Sequence, residues 1–232
     1  AAQTINLDGG AGNDTFVLAN GVVITGVVTG LGTIDGGVGN DTLDLHLFAT
    51  ARNIALTGLG ASDGFDGTDA AITGGFRNIN GLNGTGTAND TLTGLNAASA
   101  WQVNGAASTY TSGAHTLSFT GFGKLQGGAG SDTFTVTGAR TIDLLGGAGD
   151  DTFTFNADAI LNGILDGQSG YDALDFVPYT TARTIRLSGF GGTDGFDGDD
   201  VTSGTPIALA NGFNNINRVV GSSDAALPDV LI

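Results

Sequence analysis

The chain has 232 residues, with 42 glycines, 3 prolines, no cysteine and a formal net charge of -16 from 7 basic and 23 acidic side chains, all of the latter aspartates. That balance disfavours nucleic acid and anionic membrane surfaces and favours cations as partners, while the lack of cysteine excludes disulfides, thiolate metal sites and a cysteine nucleophile. Aspartate is the carboxylate of turns and glutamate that of helices, so the hydrophobic 40%, recurring between turn signals, predicts an ordered all-β chain rather than disorder.

Read from the N-terminus, one device recurs: a glycine-rich turn, then Asp-Thr, then alternating apolar and polar residues. It appears as GGAGNDTFVL at Asp14, GGVGNDTLDL at Asp41, TGTANDTLTG at Asp90, GGAGSDTFTV at Asp132, GGAGDDTFTF at Asp151 and GQSGYDALDF at Asp172. The gaps after Asp41 and Asp90 are 49 and 42 residues, about twice the others, so a degenerate turn is expected inside each. DGFDG at Asp66 and SGAHTLSF at His115 supply them, and Asp197 continues the series.

Steps of 17 to 27 residues, each with one turn and one alternating strand, predict a parallel β-helix: an all-β solenoid, read as right-handed, of about ten coils. Alternation sends Phe16, Leu43, Leu92, Leu117, Phe134, Phe153 and Leu174 to one side as a stacked apolar ladder. A longer period lies over the short one. TARNIALTGLGASDGFDGTDA from Thr50 returns from Thr181, GGFRNINGLNG near Phe76 returns near Phe213, and TINLDGGAGNDTF at Thr4 returns at Thr141. Residues 1–137 are thereby read as one long unit and 138–232 as a second, truncated one, within one continuous solenoid cut from a longer array. No run of 18 or more apolar residues offers a membrane span.

The GGxGxD turns at Asp14, Asp41, Asp132 and Asp151 resemble the calcium-binding nonapeptides of the repeats-in-toxin (RTX) family, whose glycines turn carbonyl and carboxylate oxygens toward a shared cation. The resemblance implies calcium at Asp14, Asp41, Asp132, Asp151 and Asp172, with Gly128, Gly130, Gly147 and Gly149 shaping the loops. The trio Asp132, Asp151 and Asp172 is the strongest candidate. RTX nonapeptides run in uninterrupted tandem, whereas these stand singly, one to a coil, and an Asx-turn bonding its own backbone is the competing reading. DGFDGTD at Asp63, Asp66 and Asp69, echoed at Asp194, Asp197 and Asp200, reads as a decorated turn. His46 and His115 read as surface or strand residues, and Trp101, Tyr110, Arg52 and Arg183 as core or ion-paired ones.

The long unit, with WQVNG at Trp101, FTGFGKLQGGAGSDTF near Phe122 and FxNIN before a glycine turn, also resembles repeats of giant bacterial surface proteins of the filamentous-haemagglutinin type. This implies a non-catalytic, extracellular rod, secreted or attached to the cell surface, whose partners are calcium ions, neighbouring repeats stacked end to end, and surface glycans or other cells. A polysaccharide-active enzyme is the rival class, but its cleft needs acid, base and cation-stabilising groups gathered together, and here the carboxylates are spread among turns. A calcium-binding accessory module of such a secreted enzyme is the alternative. Thr-x-Thr pairs such as Thr133/Thr135 raise ice binding, for which three pairs are too few.

Overall fold

The computed structural model describes residues 6–20, 32–105, 108–203 and 207–232. Thr4, where the first match of the long repeat opens, lies outside them. Every regular element among the described residues is a β-strand, and no helix is long and apolar enough to cross a membrane. The chain divides into two compact units, one of Ala1–Leu95 with Thr109–Lys124 and one of Asn96–Ser108 with Leu125–Ile232.

In the first unit, one parallel ladder joins Leu7–Asp8, Ile34–Asp35 and Ile72–Ile79. A second joins Thr15–Ala19, Thr42–Leu47, Gly81–Asn83 and His115–Thr120. The other unit repeats the pattern. Asp143–Ala148, Leu165–Ser169 and Phe213–Ile216 form one ladder, and Ser99–Val103, Asp132–Val136, Thr152–Phe155, Ala173–Asp175 and Arg218–Val220 form the other. The glycine turns carry the chain from one ladder to the next: Leu7–Asp8 passes through one into Thr15–Ala19, and Asp143–Ala148 through another into Thr152–Phe155.

In-register parallel strands stand about 4.8 Å apart, so equivalent side chains lie over one another. In the second unit Trp101, Phe134, Phe153 and Leu174 are wholly buried in such a row. Trp101 stacks on Phe134 at 5.4 Å and 7°, and Phe134 on Phe153 at 5.1 Å and 12°. Each buried ring contributes roughly 1.5–3 kcal/mol from removed apolar area, and flat offset stacking adds to it.

Two expected members of the apolar row stand elsewhere. Leu92 faces Ile54 beside Asn53–Leu59, and Phe119 rather than Leu117 faces Leu82. Ser118 stands opposite Gly81, so His115 is not at the turn position, and Asp66 and Asp197 are not at ladder turns either. Asn53–Leu59, Phe65–Asp69 and Ile72–Ile79 form a three-stranded antiparallel arm, and Thr184–Phe190, Phe196–Asp200 and Phe213–Ile216 repeat it. These arms fill the long intervals. Each is rooted by a buried ion pair, Arg52 with Asp69 and Arg183 with Asp200, the ionic reading expected for both arginines.

Candidate functional site

The glycines of GGxGxD act in two ways. The second and fourth residues take left-handed φ, +94° at Gly37 and +143° at Gly39, where a side chain is disfavoured. Gly147 and Gly149 do the same, but Gly128 and Gly130, expected to shape the loop at Asp132, do not. The first glycine is needed for space: a β-carbon on Gly9 would lie 2.5 Å from the Gly36 carbonyl oxygen of the next turn and 2.6 Å from Asp14 Oδ2. The aspartate carboxylate is thus folded back beneath its own turn, facing the backbone oxygen of the neighbour.

One oxygen each of Asp41, Asp151 and Asp172 joins a ladder. The Asp14 N–H donates to Asp41 Oδ1 at 2.8 Å, the Asp132 N–H to Asp151 Oδ1 at 2.8 Å and the Asp151 N–H to Asp172 Oδ1 at 2.9 Å. Asparagine, and not Asp66 or Asp197, carries the ladder on: the Asp41 N–H donates to Asn80 Oδ1 at 3.2 Å and the Asp172 N–H to Asn217 Oδ1 at 2.8 Å. The recurring FxNIN segment was the signal, its last asparagine replacing the aspartate of the turn.

The other oxygen sorts the turns. Oδ2 of Asp14, Asp41, Asp151 and Asp172 is buried and receives no hydrogen bond. At Asp132, by contrast, Gly128 N–H donates to Oδ2 at 2.9 Å and the Ser99 hydroxyl to Oδ1. At Asp90, Oδ2 accepts from the Thr85 N–H at 2.8 Å and the Thr87 N–H at 3.1 Å. The expected trio therefore divides: Asp151 and Asp172 belong with Asp14 and Asp41 as open turns, and Asp132 is closed by its own donors. Gly128 also lends its carbonyl to the Ala148 N–H at 3.0 Å, and a β-carbon on Gly130 would lie 2.5 Å from Ala98 N.

The arms bring further oxygens. Asp63 Oδ2 accepts the Gly39 N–H at 2.9 Å, and Asp194 Oδ2 accepts the Gly170 N–H at 3.0 Å, while Oδ1 of both is buried without a donor. Each arm tip is pinned by an asparagine in left-handed conformation. Asn78 donates to Asp35 Oδ1 at 2.7 Å and accepts the Ser62 N–H at 2.9 Å. Asn215 does the same with Asp166 at 2.7 Å and the Thr193 N–H at 2.8 Å. What reads in sequence as a decorated turn thus divides its carboxylates between the glycine turn, the arm backbone and the root arginine.

Burial disfavours these charges. It pushes the Asp151 carboxyl up to about 7, assisted by the carboxylates of Asp132, Asp172 and Asp150 and opposed by the Asp132 N–H. Asp172 is pushed to about 6 by burial, with Asp194, Asp150 and Asp166 adding repulsion. Asp41 is raised by burial and by Asp14, Asp63 and Asp35. Among the described residues no three acidic or imidazole side chains gather as a metal cluster. The donor set at an open turn is one unpaired carboxylate oxygen facing backbone carbonyl oxygen, which suits a hard, geometrically tolerant cation such as calcium. His46 is exposed and bonded to Asp44, His115 Nδ1 lies 2.6 Å from the Gly64 carbonyl oxygen, and Trp101 and Tyr110 are core residues. No protein-family model matches the chain, and no curated protein matches it significantly.

Proposed function

We propose that this chain is a segment of a calcium-stabilised parallel β-solenoid, right-handed, that serves as a non-catalytic structural or adhesive rod in a large secreted or cell-surface bacterial repeat protein. The observation carrying this reading is the row of open turns: buried aspartate oxygens at Asp14, Asp41, Asp151 and Asp172 lack any donor and lie across a glycine from a backbone oxygen, that of Gly36, Asn78, Gly167 and Asn215 respectively. Opposed acceptors in a buried site are stable only with a cation or a proton between them. The RTX-like motif supports the cation, and outside the cell millimolar calcium is the abundant hard divalent ion. Binding only to the folded chain adds RT ln(1 + [L]/Kd), about 2.7 kcal/mol per site at a hundred times Kd. Calorimetric melts at neutral pH in EDTA and in rising calcium test it. A melting temperature that climbs with calcium supports the reading, and identical melts in both remove the cation from it.

A further inference from the structure

The two antiparallel arms are the same device in unequal surroundings. In the first, Phe65 is 0% exposed. Its ring meets Tyr110 edge-on at 5.3 Å and His115 at 5.9 Å. Those residues sit on the strands Ser108–Ser112 and His115–Thr120, neighbours in one sheet joined by the turn at Gly113 and Ala114. The Gly64 carbonyl oxygen accepts the Gly60 N–H at 3.0 Å, and His115 Nδ1 approaches it at 2.6 Å, using its second lone pair. The hairpin turn also touches Leu59, which stays 44% exposed: a β-carbon at Gly113 would stand 3.5 Å from Leu59 Cδ1.

In the second arm the corresponding residues are more exposed. Phe196, equivalent to Phe65, is 38% exposed and stacks at 5.5 Å on Phe190, equivalent to Leu59 and 84% exposed. Leu187, Phe196, Ile216, Val219 and Leu231, with Asn217 and Arg218 among them, line a mostly apolar cleft of about 150 Å³. The Gly195 carbonyl accepts the Gly191 N–H at 3.1 Å, as Gly64 accepts that of Gly60. The approach to the cleft is also conserved between arms: Leu92 faces Ile54 in the first, and Leu231 faces Ile185 in the second. Two stacked, exposed aromatic rings beside such a cleft mark an interaction surface.

We infer that the Phe190/Phe196 cleft is the docking site for a β-hairpin of the Ser108–Thr120 kind, presented by a further repeat unit that continues the ladder behind Leu231. Its inward aromatic ring packs edge-on against Phe196, its turn covers Phe190, and a side-chain N–H or O–H donor reaches the Gly195 carbonyl. The first arm supplies the template for each contact. This inference rests on the repeat architecture proposed above and not on the cation.

The test appends the sequence of residues 94–124 behind Ile232 of the full chain. Docking raises the melting temperature by several degrees and lowers the fluorescence of an added anilinonaphthalene sulfonate dye. Phe196→Ala, nearly silent in the 232-residue chain, then lowers the melting temperature of the extended chain, and the loss shrinks when the appended tyrosine is alanine. The same segment as a free peptide is a second arm, with binding that Phe190→Ser abolishes as the supporting result. Equal effects of Phe196→Ala in both chains together with no peptide binding overturn the inference. So does self-association of the unextended chain that Phe190→Ser abolishes, which makes a second copy the occupant. Both readouts are taken at fixed calcium, so their failure is distinct from that of the calcium titration.

Discussion

Asp132 and Asp151 stand one above the other, 19 residues apart and joined by a 2.8 Å hydrogen bond, yet their turns are chemically opposite. Asp132 is closed, its carboxylate satisfied by Gly128 and Ser99. Asp151 is open, with one oxygen in the ladder and the other buried without a donor. The same GGAGxDT sequence precedes both. The difference begins in the turn backbone: Gly147 and Gly149 take positive φ before Asp151, whereas Gly128 and Gly130 do not, and Gly128 turns its N–H onto Asp132 Oδ2; Ser99, in register with Asp132, adds a hydroxyl at Oδ1. One motif therefore adopts two turn conformations, and the conformation decides whether its carboxylate needs an external partner.

The largest expected effect calibrates the comparison, because the apolar row passes behind both turns. Phe134→Ala and Phe153→Ala should each cost roughly 3–5 kcal/mol, in calcium and in EDTA alike, whereas Thr133→Ala and Thr152→Ala should cost far less. Denaturant melts giving equal losses for the two sets would put the strand faces the wrong way round.

Substitution of the aspartates separates the turns directly. In Asp132→Asn the new amide faces the Gly128 N–H, donor against donor, so stability falls by about 1–3 kcal/mol in both conditions. Asp151→Asn keeps an acceptor for the Asp132 N–H and places a donor beside backbone oxygen. It should be neutral or stabilising in EDTA and abolish part of the gain from calcium. If both variants respond to calcium as the parent does, open and closed turns are not functionally different.

A further expected effect is a pH dependence. The folded-state carboxyls of Asp151 and Asp172 are raised from 3.8 to about 7 and about 6. Between about pH 4 and 7 the folded chain therefore binds more protons than the unfolded chain, and stability from these groups falls as pH rises through that window. Below it both states are protonated, and above it both are ionised, so the slope vanishes. Subtracting the profile of the Asp151→Asn, Asp172→Asn double variant in EDTA isolates this slope, and saturating calcium flattens it by keeping the carboxylates ionised. A difference profile that rises with pH contradicts the assignment of Asp151 and Asp172 as unpaired buried acids.

The arms show where sequence spacing misleads. Equal division of the interval between Asp41 and Asp90 put a turn at Asp66, but that residue lies in an antiparallel strand whose neighbours are close in sequence. The true ladder position, Asn80, was readable as an asparagine in the aspartate's place before a glycine, and the return of FxNIN at Asn217 was the available confirmation. Spacing counts residues and is blind to the direction in which they run.

Composition, the two repeat periods and the alternation after each Asp-Thr determined by themselves an all-β chain with glycine turns, aspartates aligned at those turns and aromatic residues such as Phe134 and Phe153 behind them. Those properties depend on local backbone preference and on the two-residue period of a strand, both present in any short window of sequence. The tertiary structure alone decided that Leu92 leaves the expected row, that Asp63 and Asp194 reach the turns at Gly39 and Gly170, that Asp132 is closed and Asp151 open, and that Phe65 is covered while Phe196 is bare. The closure of Asp132 depends on the conformation of its own turn, and the others on which distant strand lies alongside; a hydrogen-bond donor or an apolar cover supplied across the ladder leaves no trace in the residues that receive it.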